Sequence, residues 1–318
     1  GWGCFLLGGG GRVLIPSGNA DWRGFPPPLG VAEFTRAESV HLLRSQVPGL
    51  SDREADRVAE AVGDLPLAVD QAAALLADTG LDTDTYLRLL AERTEQVLAH
   101  GGGSGGYPVS LAASWTVAFD RLAADDPVAF ELMTVAAWLG PEPVPLTLYT
   151  THPDRLPAAL DAAARDPLVF TGRTAVLRRR GMARVTADSI QLHRLTAALL
   201  RVRTVDGGRW AAVAVGLLRH AAPEDPWNNP GCWPTWRQLL AHVLAVTDPA
   251  RDLDPVTGEA AWLLDRAGSY LRTRGSFERR GHCTNAPTTF AAACSVPTTP
   301  TPWFLPPTSP SPCAGRGL

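Results

Sequence analysis

The sequence predicts a mainly α protein built from successive small helical units, and three observations carry that expectation. Apolar residues recur at helical spacing behind recognisable helix starts. A single short hairpin interrupts the helices near the middle of the chain. Only one apolar run, Arg12-Val-Leu-Ile15, reads as a buried parallel strand; it follows glycines and Pro16 closes it.

Taken in order, the elements have local physical reasons. Thr35-Arg-Ala-Glu38 is a capping box ahead of Val40, Leu42, Leu43 and Val47, and Ser51-Asp-Arg-Glu54 is a second ahead of Ala55, Val58, Ala59 and Val62. In each, the hydroxyl and the carboxylate satisfy reciprocal backbone donors of the first turn. Leu65 to Leu76 carries apolar residues on one helical face, and Asp82 can cap a helix holding Tyr86, Leu87 and Leu90. The run Gly101–Gly106, with Ser104 inside it, reads as a flexible linker. Leu111 to Leu122 is helical in spacing. Asp126-Pro127 and Asp166-Pro167 each place an N-cap before an N1 proline, predicting helices to about Leu139 and Arg180. Gly181 stops the second. Met182–Val185 and Ser189–Leu192 then suit two short strands around the turn Thr186-Ala-Asp188, with another helix from about His193. Helices followed by a small hairpin is the order of a winged-helix domain. Longer helices are expected over Trp210–His220, Trp236–Val246 and Val256–Thr273, with most of the tryptophans as packing anchors.

Composition narrows the function. Hydrophobic residues are 45% and charged residues 19% of the 318, enough for real cores. A net charge of −3 gives no electrostatic case for nucleic acid or membrane partners. No apolar run reaches the length of a membrane span. Five scattered cysteines argue for a reducing, cytoplasmic setting rather than a disulfide framework. All 29 basic residues are arginine. A Walker A loop needs its lysine at the β/γ-phosphates, so this sequence holds no ordinary one, and Schiff-base lysine chemistry is excluded with it.

Three separated motifs align in order with a known family. Val13-Leu-Ile-Pro-Ser-Gly-Asn19 resembles the strand and sensor segment that closes the nucleotide domain of signalling NTPases of the NB-ARC, or STAND, class. Gly63-Asp-Leu-Pro-Leu-Ala68 resembles their G-x-P-L-A motif with one extra residue, and Leu192-His193-Arg194 resembles their M-H-D motif. The stretch 12–275 is most similar to actinobacterial members that end in tetratricopeptide repeats. The resemblance implies a remnant of an α/β nucleotide-binding domain over 1–31, a helical domain over 32–101, a winged-helix domain over 107–206 and a helical lead-in to repeats over 207–275. It implies that Pro66 lies against the base of ADP or ATP, that His193 reaches the β-phosphate of ADP, and that Gly18 holds the position of the sensor arginine. Glycine has no side-chain donor, Pro16 stands where serine or threonine is usual, and Arg194 replaces the aspartate. Walker A, Walker B and the magnesium ligands would lie upstream of the chain, which on this reading is a truncated piece with no catalysis of its own. The repeats would bind protein partners, and nucleotide exchange would drive oligomer assembly.

Simpler readings stay open. Gly63-Asp-Leu-Pro also ends one helix and starts another, and His193 also suits a helix start. Arg178-Arg-Arg180 reads as a solvated helix end or as a DNA contact of a winged-helix regulator. A helical scaffold that binds only protein is the third possibility. Asp120, Asp125 and Asp126 read as caps and surface charge, and the histidine and cysteines at His282, Cys283 and Cys294 lack zinc spacing.

Residues 276–318 differ in kind. From 281 onward there are eight prolines, seven threonines and no acidic residue, a composition that predicts disorder. Read one frame over, with free third bases, the same stretch is compatible with L-G-A-D-H-P-D-T-L-V-S-A-A-N-L-A-V-A-L-R. That resembles a kinesin-light-chain-type tetratricopeptide repeat, so a frameshift near residue 280 is expected, beside the alternative of a genuine Pro/Thr tail. Truncation after Arg280 should therefore leave the thermal midpoint nearly unchanged; a loss of several degrees in calorimetry would show that the tail packs.

Overall fold

The computed structural model of the protein describes residues 32–99, 110–204, 206–227, 229–251 and 253–273. The expected strand at 12–15, Gly18, the linker at 101–106 and the segment 276–318 lie outside them.

The first unit is a helical bundle. Helices α1 (Arg36–Gln46) and α2 (Asp52–Val62) start on the two capping boxes, with the Thr35 and Ser51 side chains accepting from the N–H groups of Glu38 and Glu54. They are followed by α3 (Pro66–Thr79) and α4 (Thr83–Glu92), the latter capped by Asp82. The apolar faces meet around Leu43, Val58, Val62, Val69 and Ala73, all fully buried. A short helix, α5 (Thr94–Ala99), follows with no start signal in the sequence.

The second unit holds α6 (Leu111–Asp125), α7 (Pro127–Trp138), α8 (Thr147–Thr150), α9 (Ala158–Ala164), α10 (Pro167–Arg179) and α11 (Arg194–Arg203). Asp126 closes α6 and opens α7, where its side chain accepts from the Ala129 N–H at 3.0 Å. The same carboxylate takes Arg173 of α10 at 2.8 Å, while Asp125 pairs with Arg180 and Asp120 with Arg203. These acids are structural. Gly181, at φ +65°, turns the chain out of α10 as a residue without Cβ does most readily.

The expected hairpin is β2 (Arg184–Val185) with β3 (Ser189–Gln191), and a third strand joins it. That strand, β1 (Val144–Pro145), pairs antiparallel with β3 and makes the order β1-β3-β2. Its proline is tolerated because β1 is an edge strand. Ile190 on central β3 is fully buried, opposite Val144 on one side and Val185 on the other. The segment 140–165, with β1, α8 and α9, carried no element in the sequence reading.

The third unit packs α12 (Gly207–Ala221), α13 (Trp233–Val246) and α14 (Thr257–Thr273) against one another. Trp236 is fully buried, stacks on Tyr270 at 6.2 Å and donates its indole N–H to the Pro223 carbonyl. Arg219 lies over the Trp262 ring at 3.6 Å. Trp227 departs from the expected anchors: it is exposed. Cys232 is buried and unbridged.

Helix α7 joins the units. It is buried on nearly all sides, with α6, α9, α10, α11 and α12 packed on it. Its last carbonyls have no partner within the helix. Arg201 of α11 donates to the Ala137 carbonyl and Arg251, after α13, donates to that of Trp138. Burial and the neighbouring Arg201 push the Arg251 guanidinium down to about 10, so it is still charged at neutral pH and still matches the negative end of the helix. Just beyond, His242 of α13 accepts the Gly140 N–H on Nδ1 at 3.1 Å. Its Nε2–H therefore donates to the Pro143 carbonyl at 3.3 Å.

His242 is fully buried, and burial pushes its pKa below the ordinary 6.5. As pH falls the unfolded chain takes up this proton before the folded one, so the histidine's contribution to stability is full above about pH 6.5 and is lost as pH falls toward the depressed folded value. The urea midpoint should fall over that window. His242→Gln should lower the midpoint at neutral pH but show a shallower acid decline; parallel pH profiles for the two proteins would contradict the assignment.

Candidate functional site

The C-terminus of α2 and the N-terminus of α11 meet at one point. Gly63 caps α2 in the left-handed region at φ +66°, and Asp64 follows at φ +56°. The Gly63 N–H bonds to the Glu60 carbonyl and the Asp64 N–H to that of Ala59, so the turn wraps back over the last turn of α2. Two successive residues of the turn therefore lie in the left-handed region. Asp64 tolerates this conformation better than most residues, and it is held there by a forked ion pair: Arg36 Nε reaches Oδ1 at 3.0 Å and Nη2 reaches Oδ2 at 3.0 Å. Burial alone would raise the Asp64 carboxyl, but the bonds and charge of Arg36 outweigh it and hold it below the usual range. Leu65 is extended and Pro66 takes the N1 position of α3.

From the other side, His193 caps α11. Its Nδ1 accepts the Leu195 N–H at 3.2 Å, which fixes the proton on Nε2, and Nε2–H donates to the Gly63 carbonyl at 2.9 Å across 130 residues of sequence. Arg194 reaches the Glu60 carbonyl through Nη1. The last turn of α2 has no basic residue of its own, so two of its terminal carbonyls are capped from α11. A Cβ at position 63 would stand 2.7 Å from His193 Nε2 and 2.8 Å from Cε1. Glycine is required here both by its φ and by the ring.

Beside this contact lies an open cleft of about 420 Å³, bordered by Gly63–Leu65, Trp115 of α6, Pro141, the hairpin residues Arg184 and Gln191, and His193-Arg194. Glu33 also borders it, so both signs of charge are present.

The structure brings His193 to Gly63 and Asp64. Pro66 is next in the chain but is not part of the cleft wall, and Gly18 lies outside the described residues. Both ring nitrogens of His193 are engaged with backbone groups, and Glu33 and Asp64 are among the residues that border the cleft. Sequence reading missed Glu60, Trp115, Arg184 and Gln191 as neighbours of this point. It also missed that Gly63 has a steric partner; a glycine followed by Asp-Leu-Pro signals a helix end but cannot name what approaches it. Among the described residues no group of three histidine, cysteine or carboxylate side chains could hold a metal ion, and no helix is long and apolar enough to cross a membrane.

No protein-family model matches the chain. No curated protein matches it either.

Gly63→Ala should destabilise the protein by about 2–3 kcal/mol, summing a left-handed penalty and the displaced ring. His193→Ala should cost about 1–2 kcal/mol, for two hydrogen bonds rather than a local end effect. The two losses should not add, because both break the same contact. Chemical denaturation of the singles and the double variant checks this; full additivity would mean that ring and glycine act independently.

Proposed function

We propose that this chain carries the helical and winged-helix parts of a regulatory switch of the STAND class, followed by a lead-in to protein-binding repeats. One observation supports this reading most. The turn that resembles G-x-P-L-A and the histidine that resembles the one in M-H-D come together across 130 residues, at the seam between a helical bundle and a hairpin-bearing unit. A helix end and a helix start picked without reference to each other would have no reason to meet.

In the intact switch, ADP or ATP with magnesium would bind a nucleotide domain whose phosphate loop this sequence does not contain. The chain by itself is not an enzyme, and its partners are proteins in the cytoplasm, with oligomers forming in the intact relative. A winged-helix DNA regulator is the second reading, favoured by Arg178 and Arg179, which are exposed and form no ion pair among the described residues. Against it, the helix before the hairpin presents Leu168, 86% exposed, and Val169 on its outer face, where a groove reader needs polar and basic groups.

The purified chain should release no phosphate from ATP above background. Joined to a complete upstream nucleotide domain, His193→Ala should speed ADP release; equal ADP off-rates for the two joined proteins would remove the nucleotide reading. Salt-dependent duplex DNA binding lost on Arg178→Ala/Arg179→Ala would favour the DNA regulator instead.

A further inference from the structure

We propose that His152 and His220 form a two-histidine site for a divalent transition cation, on the surface where the second unit meets the third. The proposal uses neither the cleft nor the nucleotide-switch reading.

The two residues come from different units. His220 lies in the last turn of α12, and His152 follows α8 and opens a single tight turn, Pro153–Arg155. Both α8 and that turn pack on α12, and Leu148, Tyr149, Leu217 and Leu218 of these helices are buried. The backbones that carry the rings are thus fixed before any ion arrives, as a metal site requires. The imidazole centroids stand 5.6 Å apart with their planes inclined at 56°. Two imidazoles on one tetrahedral ion, with metal–nitrogen bonds of about 2.0–2.1 Å, have centroids roughly 5–5.5 Å apart. A small rotation about the side-chain bonds covers the difference. A stacked pair of rings would instead lie close to parallel.

Hydrogen bonding sets the lone pairs. A backbone carbonyl can only accept, so the 2.8 Å bond between His220 Nδ1 and the Gly216 carbonyl puts the proton on Nδ1. Nε2, on the far side of the ring from that bond, keeps its lone pair in the neutral imidazole. A metal-bound histidine is oriented in the same way, with one nitrogen on a carbonyl and the other on the ion. The His152 side chain caps nothing and makes no hydrogen bond among the described residues, so its ring nitrogens are open to an ion. His220 is exposed and His152 half-buried, so water can complete the coordination. The cationic side chains next in sequence are engaged elsewhere: Arg155 pairs with Asp154 at 3.2 Å, and Arg219 lies over the Trp262 ring.

The ligand type selects the class of ion. Imidazole suits Zn²⁺, Ni²⁺ and Cu²⁺, whereas Mg²⁺ and Ca²⁺ take oxygen ligands. Two protein ligands make an exchangeable site, weaker than the closed four-ligand kind. An ion held there ties the second unit to α12 and stabilises the folded chain according to its occupancy.

The test is a metal titration of the full chain, after a chelator has stripped it and been removed. Zn²⁺ should raise the thermal midpoint. Co²⁺ in its place should give the visible absorption of a four-coordinate nitrogen and oxygen site, without a thiolate charge-transfer band. His152→Ala and His220→Ala should each weaken Zn²⁺ binding at least about tenfold, since losing even an outer partner of a ligand costs that much. The double variant should lose little more than either single one, because one ion needs both rings. His220 bonds only within its own helix and His152 makes no hydrogen bond, so both variants keep the fold, which circular dichroism checks. His282→Ala/Cys283→Ser/Cys294→Ser should keep the midpoint rise. Zn²⁺ binding that survives in either single histidine variant, that vanishes with His282 and the two cysteines, or that is absent from the unmodified chain would overturn the site.

Discussion

The burial of α7 on nearly every side is the constraint on which the rest of the structure depends. A helix with Leu132, Met133, Val135 and Ala137 all fully buried must be surrounded, and five other helices do so. That requirement draws the hairpin-bearing second unit and the third unit into one body, because α11 and α12 both pack on the same helix. It also creates a polar problem. The C-terminal carbonyls of α7 end in the interior, where unpaired acceptors are costly. Arg201 and Arg251 meet them from two different elements, and His242 fixes the loop just beyond. Apolar packing chooses which elements meet; these few hydrogen bonds choose how they are oriented.

The same principle, applied with less apolar surface, governs the seam at α2. At its end the Glu60 carbonyl, which also takes the Gly63 N–H, and the Gly63 carbonyl accept side chains from elsewhere, Arg194 and His193. The surroundings differ. At α7 the donors are embedded between packed helices. At α2 they stand beside an open cleft, and Arg194 is exposed. Breaking the first contact would strand buried groups, while breaking the second exposes them to water.

The charged residues divide along the same line. Asp126 caps α7 and holds Arg173, and Asp64 holds Arg36 in a fork, so each carboxylate fixes a backbone turn as well as a partner. Most arginines outside such pairs lie on the surface, where ion pairs contribute little to stability.

The sequence by itself determined where most helices begin, because the reason is local. Capping boxes at Thr35 and Ser51 and the Asp-Pro pairs at 126–127 and 166–167 satisfy donors within one turn of chain, and that information lies within four residues. It also determined the hairpin and the stop at Gly181. Only the tertiary structure decided that Val144-Pro145 is a strand, since a two-residue run ending in proline has no strand character until β3 lies beside it. The same holds for Gly63. Its sequence context says that a helix ends there, but its lack of a side chain is required by an imidazole 130 residues away. Pro66 was legible as a helix start; that the cleft wall ends at Leu65 and leaves Pro66 out was not, because position along the chain does not say which face a turn presents. Periodicity and capping are properties of neighbours in sequence; which carbonyl a distant histidine reaches is set by how whole helices pack.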